Sequence, residues 1–311
     1  MASTTHYDVM IVGGGPAGMT AAMWCAELGV NALLIDENEE LGGQLGSIYN
    51  RIENYPGVFA SNGRELRDLM LKSINRLPFE RRLDARVIKA DLPSKQLVLN
   101  TGETLAGKAV ILATGIRRRK LGVEGEDEFA GRGIMASGAG EREGVRDKRV
   151  VIVGGGDAAL ENTLILSDLA SEVTLVHRKD RFSAREKFVK AARDQKNVRF
   201  EPVTVVQKIV GNDAVEGVQL LKLDTGKSHY LETDKILIRI GVEPNSELFG
   251  GRVAVDENRY AVVDAACRTS IPGVLIAGDV ANPVSPTIAT AVGMGAAAAK
   301  AAQAFLEQCS K

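Results

Sequence analysis

Two stretches of this chain share one plan: a short apolar run, a glycine-rich turn, a helix-compatible segment and a second apolar run. In the first, "YDVMIVGGGPAGMTAAMWCAELGVNALLIDE", residues 8–12 suit a buried parallel strand, and Gly13, Gly15 and Gly18 spell G-x-G-x-x-G. Asp36 ends the second strand, about 20 residues beyond the turn. Each position has a physical role. Gly13 permits the tight turn, Gly15 lets a pyrophosphate approach the backbone, and Gly18 lets helix and strand pack closely. The helix N-terminus presents unpaired N–H groups to phosphate, and Asp36 can accept hydrogen bonds from a ribose diol. Small residues Ala17, Ala21 and Ala22 face the sheet in this reading.

The second stretch, "KRVVIVGGGDAALENTLILSDLASEVTLVHRKD", has Gly154 and Gly156 followed by Ala159 in place of the third glycine. Its second strand ends not in an acid but in His177, Arg178 and Lys179. An acid there would repel a 2′-phosphate, whereas cations attract one. Two such folds in one chain indicate a resident flavin nucleotide and a visiting pyridine nucleotide. The first site suits the adenosine of FAD; the second suits NADPH, with NADH as the alternative.

At 311 residues the chain has room for two domains. It is 45% hydrophobic and 25% charged, an ordinary balance for a globular protein. A net charge of -1 gives no global field to favour nucleic acid or an anionic membrane. The first residues lack the basic and apolar regions of a secretory signal, and no apolar run is long enough to span a bilayer. The expectation is a cytoplasmic protein with neither nucleic-acid nor membrane partners. The cysteines are Cys25, Cys267 and Cys309, so there is no C-x-x-C, and no metal site is expected.

The α/β pattern gives two Rossmann-like domains, with the second nucleotide domain inserted into the first. The expected parts are residues 1–115 (FAD domain, first part), 116–244 (NAD(P)H domain) and 245–311 (FAD domain, second part). A helix is expected from Gly63 to about Asn75, hairpin strands over 86–100, and an Ala-rich helix over 287–307. The glycine-rich "GGQLGS" reads as non-helical.

Taken together, "GGGPAG" (13–18), "GGQL" (42–45), "IENYPG" (52–57), "ILATG" (111–115), "LGVEGEDEFAGRG" (121–133), "VGGGDAALE" (153–161), "HRKDRFSA" (177–184), "GVEPN" (241–245) and "GVLIAGDV" (273–280) resemble the low-molecular-weight thioredoxin reductases nearly end to end. A further relation is to the ferredoxin–NADP reductases of the same fold. The resemblance implies FAD bound by Gly13, Gly14, Gly15, Pro16, Ala17, Asp36, Gly43, Gln44, Leu45, Asn54, Thr114, Gly115, Gly278 and Asp279, with Asp279 at the ribityl chain and Asn54 at the isoalloxazine. It implies NADPH at Gly155, Gly156, Asp157, Ala158, Ala159, His177, Arg178 and Gly241. It also implies a homodimer.

The departures matter as much. The family's Cys-Ala-Thr-Cys aligns with Ser137-Gly138-Ala139-Gly140, and neither serine nor glycine supplies the thiolate that attacks a disulfide. Glu141 keeps the family's acid after the pair. Ser183 stands where an arginine helps hold the 2′-phosphate, and Arg185 is the candidate substitute. Pro286 and Thr287 replace an Arg-Gln pair near the flavin.

Hydride transfer depends on proximity and alignment, so no catalytic acid or base is named. Three functional readings stay open. The leading one is an NAD(P)H-dependent flavoprotein passing electrons to a ferredoxin-type carrier. Arg117, Arg118, Arg119 and Lys120, with Arg142, Arg146, Lys148 and Arg149, are the candidate docking cations. The second is a flavoenzyme acting directly on a small molecule, quinone or oxygen. The third is a redox-sensing flavin protein. A redox role for Cys25 or Cys309 is a remote alternative.

Overall fold

The computed structural model describes residues 6–309. The chain runs through β1 (His6–Val12), α1 (Pro16–Glu27), β2 (Ala32–Ile35), α2 (Gly63–Ile74), β3 (Glu80–Arg82), β4 (Val87–Asp91), β5 (Gln96–Leu99), β6 (Thr104–Leu112) and β7 (Ile116–Arg118). It continues through β8 (Ile134–Met135), β9 (Arg149–Gly154), α3 (Asp157–Ser167), β10 (Glu172–Val176), α4 (Glu186–Arg193), β11 (Val198–Glu201), β12 (Thr204–Gly211), β13 (Val215–Lys222), β14 (Ser228–Glu232), β15 (Lys235–Arg239) and β16 (Val242–Pro244). It ends with β17 (Val274–Ile276) and α5 (Ile288–Cys309). There are two compact units: one takes the chain up to Arg117 and again from Glu243, and the other is Arg118–Val242. β7 and β16, the two connecting segments, pair as a two-stranded ribbon.

In the discontinuous unit, β1 lies parallel between β2 and β6. β17 extends the parallel set beside β6, and β3 does so beside β2. Both faces of the parallel part of this sheet are covered, so β2 and β17 are apolar throughout, and β1 and β6 are apolar over Val9–Val12 and Ala109–Leu112, rather than alternating. Val9 and Ile11 of β1 join one core with α1 and α5; Met10 and Val12 join a second core on the opposite face. β4 and β5 form the expected hairpin, which β6 continues antiparallel. "GGQLGS" is extended neither as strand nor as α-helix: Gly43–Ser47 make a short 3₁₀ turn.

The continuous unit has a five-stranded parallel sheet in the order β11-β10-β9-β15-β8. Val150 and Ile152 face a core with α3 and α4. Val151 and Val153 face the other way, onto the antiparallel sheet β12-β13-β14. Sequence reasoning missed that second sheet. Its strands alternate weakly and carry register breaks at Val206/Lys208 and Val210/Gly211, so their period blurs.

Helices α1 and α5 pack at close range, which small residues make possible. A Cβ on Gly295 would lie 2.2 Å from the Ala17 carbonyl oxygen and 3.1 Å from Thr20 Cβ. Gly295→Val should therefore destabilise the protein by at least about 2 kcal/mol, through overpacking against backbone that cannot yield. Chemical denaturation should show an earlier midpoint, with Gly293→Ala as control: a Cβ there meets nothing within 4 Å.

Candidate functional site

The first glycine turn sits at the carboxyl edge of the parallel sheet. Four strand ends meet there: Gly13 after β1, Asp36 after β2, Thr114–Gly115 after β6, and Gly278–Asp279 after β17. The approach is backbone on backbone. A Cβ on Gly13 would fall 2.3 Å from the Ala113 carbonyl oxygen, and one on Gly18 would fall 1.7 Å from that of Gly13. Gly13 also has φ of 105°, a conformation that L side chains rarely adopt. Asp36 is buried and braces the turn: Gly14 N donates to Oδ2 at 2.5 Å, while Asn38 N and Nδ2 donate to Oδ1 at 2.8 Å.

α1 starts with Pro16 and has no side-chain cap, and a Cβ on Gly15 would meet nothing within 4 Å. Its first-turn N–H groups therefore lack a side-chain acceptor and have room in front of them. Gly43 closes on this loop, with its Cβ position 3.0 Å from Gly15 Cα. Gln44 donates to the Ile116 carbonyl, and Gly278 packs against Ala17. Asp279 Oδ1 is buried with no hydrogen-bond partner among the described residues, and burial raises its carboxyl above the usual range. Such an orphan acceptor is what a hydroxyl-rich ligand chain would satisfy. Leu45 is fully buried in the core, so only its backbone is available to a ligand. Asn54 is exposed in the loop between the bridged residues Ile52 and Ala60, with no hydrogen bond among the described residues.

The second glycine turn opens a cavity of about 910 Å³ within the Arg118–Val242 unit. Gly155, Gly156, Asp157, Ala158, His177, Arg178 and Gly241 all line it. Ala159 does not: it is fully buried on the sheet-facing side of α3, behind Gly154. α3 has Gly156 as N-cap and no side-chain cap, so its first N–H groups also await an acceptor.

His177 lines the cavity and also packs within its wall. Its ring stacks on Phe182, with centroids 5.1 Å apart, and lies where a Cβ on Gly155 would sit, 2.2 Å away. Partial burial lowers its pKa below 6.5; Arg178 and Lys179 lower it further, against the hydrogen-bonding contact with the Arg181 carbonyl.

Several sequence expectations need correction here. Arg185 does not line the cavity; it is held by Asp157, at 2.7 Å from its backbone N–H and 2.6 Å from Nε. Arg181 lines the cavity instead, together with Lys179. The proposed docking cations are largely neutralised. Arg117 pairs with Glu243 and Glu247, Lys120 with Asp127, Arg142 with Asp168, Arg146 with Glu143, and Arg149 with Glu232 and Asp234. Arg118, Arg119 and Lys148 have no ion pair among the described residues. Arg119 and Arg239 belong to the cavity wall, which sequence reasoning missed: Arg239 lies inside an apolar strand, where no motif flags it.

The segment at Ser137–Gly140 is a closed turn. Ser137 Oγ accepts from Gly140 N at 3.0 Å, and Glu141 Oε1 accepts from Ala136 N and Ser137 N at 2.8 and 3.0 Å. Gly138 is buried, with its Cβ position 1.9 Å from Asn162 Oδ1. Cys25 and Cys267 are buried, and burial pushes their thiols up to about 12 and about 11; Cys309 is exposed.

Residues 7–295 match the model of the pyridine nucleotide-disulphide oxidoreductases. The chain is 36% identical over 309 residues to a thioredoxin reductase of Mycolicibacterium smegmatis, covering 98% of each protein. It is similar to the crystal structure of Lactococcus lactis thioredoxin reductase, with TM-score 0.82, 33% identity, and 97% and 99% of the two chains covered. The thioredoxin reductase of T. acidophilum gives TM-score 0.79 at 30% identity, covering 98% and 99%. Among the described residues no helix is long and apolar enough to cross a membrane.

The depressed His177 pKa has a consequence for stability. Below about pH 6.5 the unfolded chain takes up this proton more readily than the folded one, so stability present above that pH is lost as pH falls. His177→Gln should flatten the acid side of a urea-midpoint profile taken from about pH 8 to about pH 5. An unchanged slope would show that another group carries it.

Proposed function

The chain belongs to the pyridine nucleotide-disulphide oxidoreductase family, and within it we propose an FAD-dependent NAD(P)H oxidoreductase that works without a redox dithiol and passes electrons to a separate acceptor. The observation that carries this reading is the closed turn at Ser137–Gly140, in a chain whose cysteines are elsewhere. Disulfide exchange needs an accessible thiolate. Cys25 and Cys267 are buried, with thiols raised well above neutrality. Thioredoxin, which the relatives' names carry, is therefore not the proposed acceptor.

Both nucleotide sites fit their groups. In the first, the uncapped α1 terminus and open Gly15 suit a pyrophosphate, and the orphan Asp279 Oδ1 suits a ribityl hydroxyl. Asp36 keeps lone pairs for a ribose while it braces Gly14. In the second, Gly155 and Gly156 would cradle a phosphate, and Arg178, Lys179 and Arg181 would offer charge to a 2′-phosphate. Bound FAD supplies acceptance of a hydride as a two-electron unit and release of electrons singly or in pairs. The protein contributes binding, alignment and exclusion of water.

A ferredoxin-type carrier is the proposed acceptor. The pairing of Arg117, Lys120, Arg142, Arg146 and Arg149 with carboxylates favours a second reading, in which a small molecule, quinone or oxygen takes the electrons directly.

Anaerobic mixing of the holoprotein with NADPH should bleach the flavin absorbance by one hydride equivalent per chain, and the Cys25→Ser/Cys309→Ser double variant should bleach at the same rate. No bleaching with NADPH or NADH would overturn the reductase reading. Uptake of a second hydride equivalent per chain by the parent, lost in the double variant, would restore a thiol mechanism. With the reduced protein in hand, a ferredoxin, a quinone and oxygen are then compared as oxidants. A thioredoxin disulfide should leave it reduced.

A further inference from the structure

One charged side chain in the cavity wall is not explained by the glycine turn or by the basic end of β10. Arg239 closes β15 and is only 7% exposed. Its Nη1 donates to the Ile238 carbonyl at 2.8 Å and its Nη2 to the Ala136 carbonyl at 3.0 Å. The rest of its N–H groups have no partner among the described residues, and no carboxylate pairs with it. Burial, with the nearby charge of Arg118, lowers the guanidinium to about 10 against the opposing pull of Glu141. A buried cation without a counter-ion is costly, and an anion brought to it recovers that cost.

The register shows where such an anion would lie. Arg239 is paired with Gly154, the residue that opens the phosphate-cradling turn. The two backbones nearly touch, with a Cβ on Gly154 falling 2.3 Å from the Arg239 carbonyl oxygen. Arg178, Lys179 and Arg181 follow β10, on the other side of β9, where the adenosine ribose of a dinucleotide belongs. Arg239 ends β15, on the far side of the crevice between β9 and β15. Among the described residues Asp157 is the single carboxylate in the cavity wall, and Arg185 occupies it.

We infer that Arg239 is a binding residue for the pyrophosphate of the pyridine nucleotide, gripping it from the β15 side while the α3 terminus holds it from the other. The inference rests on the reading of this cavity as the pyridine-nucleotide site. It separates two jobs: the cations after β10 read the 2′-phosphate, and Arg239 reads the linkage common to NADPH and NADH.

The test is calorimetric titration of the FAD-loaded protein with NADP⁺, NAD⁺ and 2′-AMP, which lacks the pyrophosphate. Arg239→Met should weaken NADP⁺ and NAD⁺ alike by about 10- to 100-fold and leave 2′-AMP unchanged. Arg239→Lys should recover part of the loss, because charge is retained while the fork is not. Arg178→Ala should show the complementary pattern, weakening NADP⁺ and 2′-AMP but sparing NAD⁺. Retained 2′-AMP affinity certifies that the cavity of the Met variant is folded. The inference is overturned if Arg239→Met binds NADP⁺ like the parent, or if it loses 2′-AMP to the same degree, which marks a structural role. A parent protein that binds none of the three overturns the cavity reading itself, and that outcome is visible before any variant is made.

Discussion

Contact between backbones at the strand ends is the constraint on which both nucleotide sites depend. At Gly13 the turn runs against the Ala113 carbonyl, and at Gly154 it runs against the Arg239 carbonyl, each with a Cβ position 2.3 Å from the oxygen. No side chain fits between, so the helix that follows starts directly at the sheet edge. Its first N–H groups then have no side-chain cap among the described residues. Room for a phosphate is a by-product of that packing. The same closeness recurs where α1 meets α5, and it explains the alanine and glycine content of both helices.

The two sites differ in what surrounds an identical turn. In the first, a buried carboxylate, Asp36, accepts hydrogen bonds from the turn itself, and Asp279 offers a buried, unpaired oxygen. Acceptors of this sort suit hydroxyl groups. In the second, the wall carries Arg119, Lys120, Arg178, Lys179, Arg181 and Arg239 against the one carboxylate of Asp157. Donors and positive charge suit phosphates. One kind of turn thus stands among acceptors in one unit and among cations in the other.

The segment at Ser137–Gly140 is a closed structural turn. Glu141 caps it, Ser137 closes it, Asn162 fills the space beside Gly138, and Arg239 holds the Ala136 carbonyl. Every polar group of the turn named here is committed to the turn's own geometry. The turn is held by packing and hydrogen bonds, and the proposed electron path leaves the protein for another molecule.

The sequence by itself determined the two β-α-β units, because an apolar run, a glycine turn and a helix are local patterns whose physics is complete within about thirty residues. It also determined that no C-x-x-C exists, and that the second strand of the second unit ends in cations. Only the tertiary structure decided which cations face the cavity: Arg181 and Arg239 do, while Arg185 is turned away onto Asp157. It alone showed that most of the basic clusters are spent on carboxylates, that Ala159 lies behind the turn, and that β12, β13 and β14 form a sheet covering Val151 and Val153. The division has one cause. Turn geometry is set by residues adjacent in the chain, whereas the direction and pairing of a long charged side chain are set by partners brought from elsewhere. Arg239 is the clearest case: its strand reads as ordinary core, and only the neighbouring end of β9 and the Ala136 carbonyl after β8 show where its charge lies.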